Sequence, residues 1–210
     1  MSIRPTLVSP WYSIINKNMD TRRHLTRLRE RLAPAKSHAR PAKRADKKIA
    51  AVLVPLFERE ERLHVLYTRR SDRLLSHQGQ VAFPGGKVDL ADADLLATAL
   101  REAHEEIGLR PDSVEVLGGL TAISTQASGY SVAPFVGVIP DPLELRPNPR
   151  EVAEIFSVPM DVLSDERFRG SYRWRRSGTF PAILYGEQTI WGLTLRITLS
   201  LLELMQEPAA

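Results

Sequence analysis

The sequence predicts an α/β chain of the α+β kind, a mixed β-sheet between helices packed on its faces. Three observations predict it. Short apolar or alternating runs recur from Ile49 to Val158. Two stretches, Asp92–Ile107 and Leu193–Met205, carry apolar residues at helical spacing. Strands and helices do not alternate regularly, so a doubly wound parallel sheet is not expected. The 210 residues suit one domain with an extension, and no apolar run approaches the ~20 residues that span a bilayer.

The extension comes first. Residues 1–49 hold thirteen Lys/Arg against three Asp/Glu, and the rest holds sixteen against twenty-two. A basic arm therefore precedes an acidic body, and the division expected is residues 1–48 for the arm and 49–206 for the domain. Within the arm, Thr21–Leu32 reads as a short helix opened by Asp20 or Thr21, with Leu25, Leu28 and Leu32 on one face. Pro34–Lys48 reads as a linker. The run Pro34–Lys48 has no aromatic residue to stack a base, so packing of the arm against the acidic body is favoured over nucleic acid. Removing residues 1–48 is then expected to leave catalysis nearly unchanged.

The body follows in order. Ile49–Phe57 is a short apolar run and Leu63–Thr68 alternates, giving two strands around the charged turn Glu58–Arg62. Gln80–Phe83 is a short strand running into Pro84-Gly85-Gly86. In Asp92–Ile107 the residues Leu96, Leu100, Ala103 and Ile107 recur on one face, and Gly108 stops the helix. Val114–Ile123, Val132–Ile139, Val152–Val158 and a Trp/Tyr-rich region are further strands, and Leu193–Met205 is a closing helix.

Composition narrows the chemistry. The chain has no cysteine, which excludes thiolate nucleophiles, thiolate zinc sites and disulfides. A reducing compartment follows. Met1–Ile15 lacks the pattern of a secretory signal, so a cytoplasmic location is expected. Catalysis must use carboxylates, His, hydroxyls, Lys or a metal held by oxygen and nitrogen.

Carboxylates concentrate in one helical turn. With Leu100 at the centre of the buried face, Glu102 lies about 200° away, Glu106 about 40° from Glu102 and Glu105 about 60° to its other side. The three are expected on an exposed arc opposite the core. Like charges at this spacing, near a helix C-terminus, destabilise the helix, and a divalent cation removes the penalty. Mg²⁺ or Mn²⁺ suits such oxygen ligands: Glu102 and Glu106 as a chelating pair, Glu105 for a second ion or a water, and the Gly86 carbonyl as a further ligand. Arg101 is placed to pin a carboxylate by a bidentate pair. An acidic helical face by itself is ordinary surface. Here it follows a strand, Phe83-Pro84-Gly85-Gly86 and an acidic loop.

That whole pattern resembles the Nudix hydrolases, whose box reads G-x5-E-x7-R-E-U-x-E-E-x-G-U with U aliphatic. Arg101, Glu102, Ala103, Glu105, Glu106, Gly108 and Leu109 match its second half. The first half departs. Gly86 to Arg101 is one residue longer, and Asp92 and Asp94 straddle the place of the early acid. Upstream, Leu66–Gly86 is similar to the extra motif of the coenzyme A pyrophosphatase branch, matching at Thr68, Arg70, Ser71, Gly79, Phe83, Pro84, Gly85 and Gly86. Leu75 stands where that motif has a second arginine, with Arg73 nearby. Asn148–Pro159 and Ile190–Thr194 are also similar to this branch.

The resemblance implies a Nudix α/β/α sandwich and metal-dependent hydrolysis of coenzyme A or acyl-CoA to 3′,5′-ADP and 4′-phosphopantetheine or its acyl form. It implies Glu102, Glu105, Glu106 and Arg101 as the catalytic set, with Glu102, Glu105 or Glu151 as base. Arg69, Arg70, Arg73 and Ser71 are the expected substrate contacts. His77 and the rings of Trp174 and Trp191 have simpler structural readings. Because of Leu75, another nucleoside diphosphate derivative such as ADP-ribose is the alternative substrate. A non-catalytic nucleotide-binding regulator is the alternative of another class, and it is disfavoured by the three intact glutamates. The expected partner is a small-molecule nucleoside diphosphate derivative, with no membrane and no nucleic acid; a homodimer is left open.

Overall fold

The computed structural model describes residues 21–35, 48–74, 76–125, 129–141, 144–174 and 178–206. The expected linker, Asp20 and Leu75 fall wholly or mostly outside them. Among the described residues the main sheet has eight strands. β1 (Lys48–Arg59) is central and runs antiparallel to β2 (Arg62–Arg70) and parallel to β7 (Tyr130–Val138). Both faces of β1 are covered, which is why its sequence is a continuous apolar run rather than an alternating one. Beyond β2 lie β3 (Val81–Ala82) and β8 (Val152–Pro159). Beyond β7 lie β5 (Glu115–Gly119) and β6 (Ile123–Ser124), so the run expected over Val114–Ile123 is two short strands. The parallel β1–β7 pair makes the sheet mixed, as expected.

One local split matters for function. β2 pairs with β1 at the turn end and leaves it toward Arg70, where it pairs with β3 instead. β4 (Gly85–Lys87) takes the vacated place beside β1, opposite Ala50–Val52. Phe83 and Pro84 cross between the two strands, and the Pro84 carbonyl accepts from Leu53 N at 2.9 Å. The Phe83 ring stacks on Tyr67 at 4.8 Å, with Phe156 on the same tyrosine at 5.6 Å.

Two layers cover the sheet. On one face α2 (Leu95–Ile107) sets Leu95, Ala99, Ala103 and Ile107 against Ala51, Leu53 and Phe135. On the other, Leu28 of α1 (Thr21–Arg31) and Ile197 and Leu201 of α4 (Gly192–Met205) join Val54, Leu56 and Val136. A short helix, α3 (Met160–Ser164), adds Met160 and Leu163 to that second core. Strands β9 (Arg169–Arg173), β10 (Thr179–Tyr185) and β11 (Gln188–Trp191) form a separate antiparallel sheet. Its inner face buries Ile183 and Ile190 completely.

Helix α2 begins three residues later than its apolar spacing suggests. Asp94 caps it, accepting from Ala97 N at 2.8 Å. Gly108, at φ 70°, ends it: its N–H reaches the His104 carbonyl at 2.9 Å, and Leu109 N reaches back to Ala103. The left-handed conformation there is why the helix stops at a glycine.

Candidate active site

The site lies where the last turns of α2 meet β4. Glu106 does not face solvent. Its residue is 4% exposed, and its Oε2 accepts from Gly85 N at 3.2 Å. The expected outward arc is therefore corrected, for a simple reason. The face against the sheet is centred on Ala99 and Ala103, whose small side chains let the helix approach closely, and not on half-buried Leu100. From Ala99, Glu106 lies only about 20° away and Glu102 about 60°, whereas Glu105 is about 120° round. Glu102 is thus largely covered and Glu105 looks outward, with side-chain exposures of 16% and 53%.

Gly86 makes this arrangement sterically feasible. A Cβ there would sit 2.4 Å from the Glu102 carboxylate carbon, so only glycine admits that side chain against the loop. At Gly85 a Cβ would strike the backbone of Ala51 and Val52.

Arg101 organises the carboxylates from behind. Its Nη1 donates to Glu102 Oε1 at 3.0 Å and Glu105 Oε2 at 3.1 Å, and its Nη2 donates to the Lys87 carbonyl at 3.1 Å. Its Nε and Nη2 grip Asp92 in a bidentate pair. Asp92 is itself buried and also accepts from Thr98 Oγ1 and Asp89 N. The two aspartates that straddle the expected acid position thus divide the work: Asp94 caps the helix and Asp92 holds Arg101. Asp92 and Thr98 thus support Arg101 from positions that the motif alone does not single out, although Asp92 stands six residues after Gly86, as the box requires of its first acid.

Electrostatics follow from burial. Desolvation pushes the Glu106 carboxyl up to about 7, partly opposed by the Gly85 N–H and Arg70, while Glu102 and Glu151 add to the rise. Glu102 is likewise raised, chiefly by burial, then by its neighbours Glu105 and Glu151. Asp92 is held down at about 2, first by Arg101. Glu151 reaches this group because its loop is tied to α2: Asn148 N donates to the Glu106 carbonyl and Arg146 N to that of Ile107, both under 3 Å.

The expected substrate contacts divide. Arg70 Nη1 stands 3.9 Å from Glu106 Oε1, and its buried Nε has no hydrogen-bond partner among the described residues. Arg69 points to the other face and pairs with Glu154 at 3.1 Å. Ser71 is buried, with its Oγ accepting from Arg73 N at 3.3 Å, and Arg73 is exposed. His77 sits in the following turn at positive φ, its ring on Gln80. Trp174 and Trp191 pack with Tyr172 and Phe180 on the outer face of the small sheet, centroids 5.1–6.2 Å apart.

The residues fit a hard divalent cation. Two carboxylates, Glu106 buried and Glu102 half-buried, face a glycine loop, burial raises the pKa of both, and every donor is oxygen. Among the described residues no three acidic or imidazole groups are already gathered for an ion. What the site offers such an ion is two carboxylates, Glu102 and Glu106, a number that Mg²⁺ commonly uses when water and substrate phosphate complete its shell.

Comparison with known proteins agrees with this fold. The NUDIX domain family matches residues 47–176. The chain belongs to the Nudix family of hydrolases. It is 42% identical over 179 residues to the human mitochondrial coenzyme A diphosphatase NUDT8, covering 82% of this chain and 73% of that protein. It is 44% identical over 155 residues to the uncharacterized Nudix hydrolase NudL of Yersinia enterocolitica, covering 70% and 76%. Among solved structures, a MutT/nudix family protein from Enterococcus faecalis superposes with a TM-score of 0.53 at 15% identity, over 94% of this chain and 74% of that one, a likeness of fold alone. Nudix hydrolases act on small nucleoside diphosphate derivatives and generally use divalent cations such as Mg²⁺. No helix among the described residues is long and apolar enough to cross a membrane.

Proposed function

We propose that this chain hydrolyses the phosphoanhydride of coenzyme A or acyl-CoA, releasing 3′,5′-ADP and 4′-phosphopantetheine or its acyl form. The convergence of Glu102 and Glu106 on Gly85-Gly86, with Arg70 alongside, carries the reading. The likeness to a coenzyme A diphosphatase supports the substrate. A cytoplasmic location belongs to the same proposal and rests on the cysteine-free composition.

Glu102, Glu106 and the Gly86 carbonyl would hold Mg²⁺ or Mn²⁺, which when bound neutralises the diphosphate and lowers the pKa of a water. Arg101 fixes the rotamers of Glu102 and Glu105 through one contact to each, and is itself held by Asp92. Arg70 carries a buried donor with capacity for a phosphate oxygen, and Arg73 and Ser71 border the same loop, while Arg69 is paired with Glu154 on the other face. In the reaction an oxygen–phosphorus bond forms to water and the bridging phosphorus–oxygen bond breaks. The electron pair leaves on the departing phosphate, and a carboxylate receives the water proton. Glu102, Glu105 and Glu151 are the groups available for that proton.

The test is product identification after incubation with coenzyme A, acetyl-CoA and ADP-ribose in Mg²⁺, with EDTA as control. Release of 3′,5′-ADP from the first two, abolished by EDTA, is expected. Turnover of ADP-ribose with coenzyme A left intact would overturn the substrate reading.

A further inference from the structure

Coenzyme A carries a 3′-phosphate, and of the arginines at the end of β2, Arg69 is paired with Glu154 and Arg70 stands beside Glu106. A different arginine is better placed. Lys87, Ala50, Val132 and Ile123 are successive neighbours across four strands, β4, β1, β7 and β6. Three strand spacings of ~4.8 Å put Ile123 about 14 Å from Lys87, the residue next to Gly86. All four share one face. Val52, Val54 and Leu56 alternate onto the α4 side of β1, so Ala50 does too, and its directly opposed partners follow.

At the far end of this row a cavity of about 460 Å³ opens between β6 and α4. That volume lies within the range of small-molecule sites. Its lining includes Thr121 and Ser124 from the strand side, and Arg196, Ser200 and Glu203 from one stripe of the helix. Arg196 is exposed and enters no ion pair among the described residues. One guanidinium N–H makes a long contact, 3.4 Å, to the Ser124 carbonyl, which holds the group at the cavity and leaves its other donors unused. Glu203, seven residues on, lies about 10 Å further along the helix. The cavity therefore has a cationic end and an acceptor end, with hydroxyls between them. A phosphate suits the first, and the amino and hydroxyl donors of an adenosine suit the others.

The geometry points to this cavity as the seat of the adenosine half of the substrate, with Arg196 binding its 3′-phosphate. The inference rests on the coenzyme A reading and adds a specificity residue that lies outside the motifs. An arginine fork on a phosphate would favour a 3′-phosphorylated substrate over its dephospho form.

The experiment compares kcat/KM for coenzyme A and dephospho-coenzyme A in the natural protein, Arg196→Ala and Arg196→Lys. Binding of 3′,5′-ADP and 5′-AMP is measured by calorimetry on the same three proteins. In Arg196→Ala the coenzyme A to dephospho-coenzyme A ratio falls about tenfold or more, as loss of a charge-assisted contact predicts; Lys restores part of it. Binding of 3′,5′-ADP weakens similarly relative to 5′-AMP. An unchanged ratio in an active Arg196→Ala enzyme overturns this inference and leaves the substrate reading standing. Arg196-dependent preference for 3′,5′-ADP in a protein that does not cleave coenzyme A upholds the site and overturns the substrate. Loss of both preferences in the natural protein overturns both.

Discussion

Asp92 grips Arg101 through both carboxylate oxygens, Nε to Oδ1 at 2.9 Å and Nη2 to Oδ2 at 3.1 Å. Arg101 in turn holds Glu102 and Glu105. Asp92 thus positions the acidic turn from outside it. Asp92→Asn removes the charge on which the grip depends, so kcat should fall about tenfold to a hundredfold with little change in KM, the usual scale for residues that orient ligands. Asp92→Glu should recover part of the loss. Steady-state kinetics check this; a variant whose KM alone rises would make Asp92 a substrate contact instead.

Adjacent glycines should fail in different ways. A Cβ at Gly86 meets the movable end of Glu102, whereas one at Gly85 meets fixed backbone at φ 156°. Gly86→Ala should therefore cut activity by about a hundredfold through displacement of the carboxylate, with the melting temperature nearly unchanged. Gly85→Ala should lower the melting temperature as well, because β4 can no longer lie against β1. Equal melting losses in the two variants would refute the distinction.

Much of this was legible in the residues. The apolar run of β1, the spacing of α2 and the Gly85-Gly86 loop lead directly to strand, helix and site. What apolar spacing misses is orientation. It weights large side chains, so Leu100 looks central, while contact with the sheet is made through Ala99 and Ala103 precisely where bulk is absent. That choice turns Glu106 inward. The roles of Asp92 and Asp94 are likewise invisible until the turn at Asp89–Asp92 closes, with Asp89 N donating to Asp92 Oδ2 at 2.8 Å. The separation of β9–β11 from the main sheet depends on long-range packing that a local pattern does not encode.

Stability of the metal-free protein should be limited at both ends of the pH scale by different carboxyls. Asp92 is depressed from 3.8 to about 2 in the fold. Its contribution is present above pH ~4 and lost as pH falls toward 2, about 2 kcal/mol. Glu106 is raised from 4.5 to about 7. The folded state then holds the proton more tightly than the unfolded one, so stability falls as pH rises from ~4.5 through ~7, by about 3 kcal/mol. Thermal melts in EDTA from pH 2 to 8 should peak between the two windows. Glu106→Gln should abolish hydrolysis, keep the fold and flatten the alkaline limb. Were that limb as steep in the variant, Glu106 would not be its cause.

The basic arm contains a helix that belongs to the core, which changes what its removal should do. Leu28 of α1 is fully buried, and Leu32 nearly so. Ala33 and Gly119 exchange backbone hydrogen bonds at 3.2 and 2.9 Å. Arg27 donates to the Met205 carbonyl, and Arg31 to those of Leu204 and Gln206, which satisfies the open end of α4. Catalytic groups are not among these contacts, so kcat of the folded protein should survive truncation, as composition alone suggests. Stability should not. Leu28→Ala should cost about 2–5 kcal/mol, equivalent to about 5–15 °C in melting temperature for a chain of this size, and removal of residues 1–35 should cost more. Melting curves of both variants, with activity assayed well below the transition, test the two halves of the expectation separately. An unmoved melting temperature would detach α1 from the core, and a lost kcat at low temperature would place the arm in the active site.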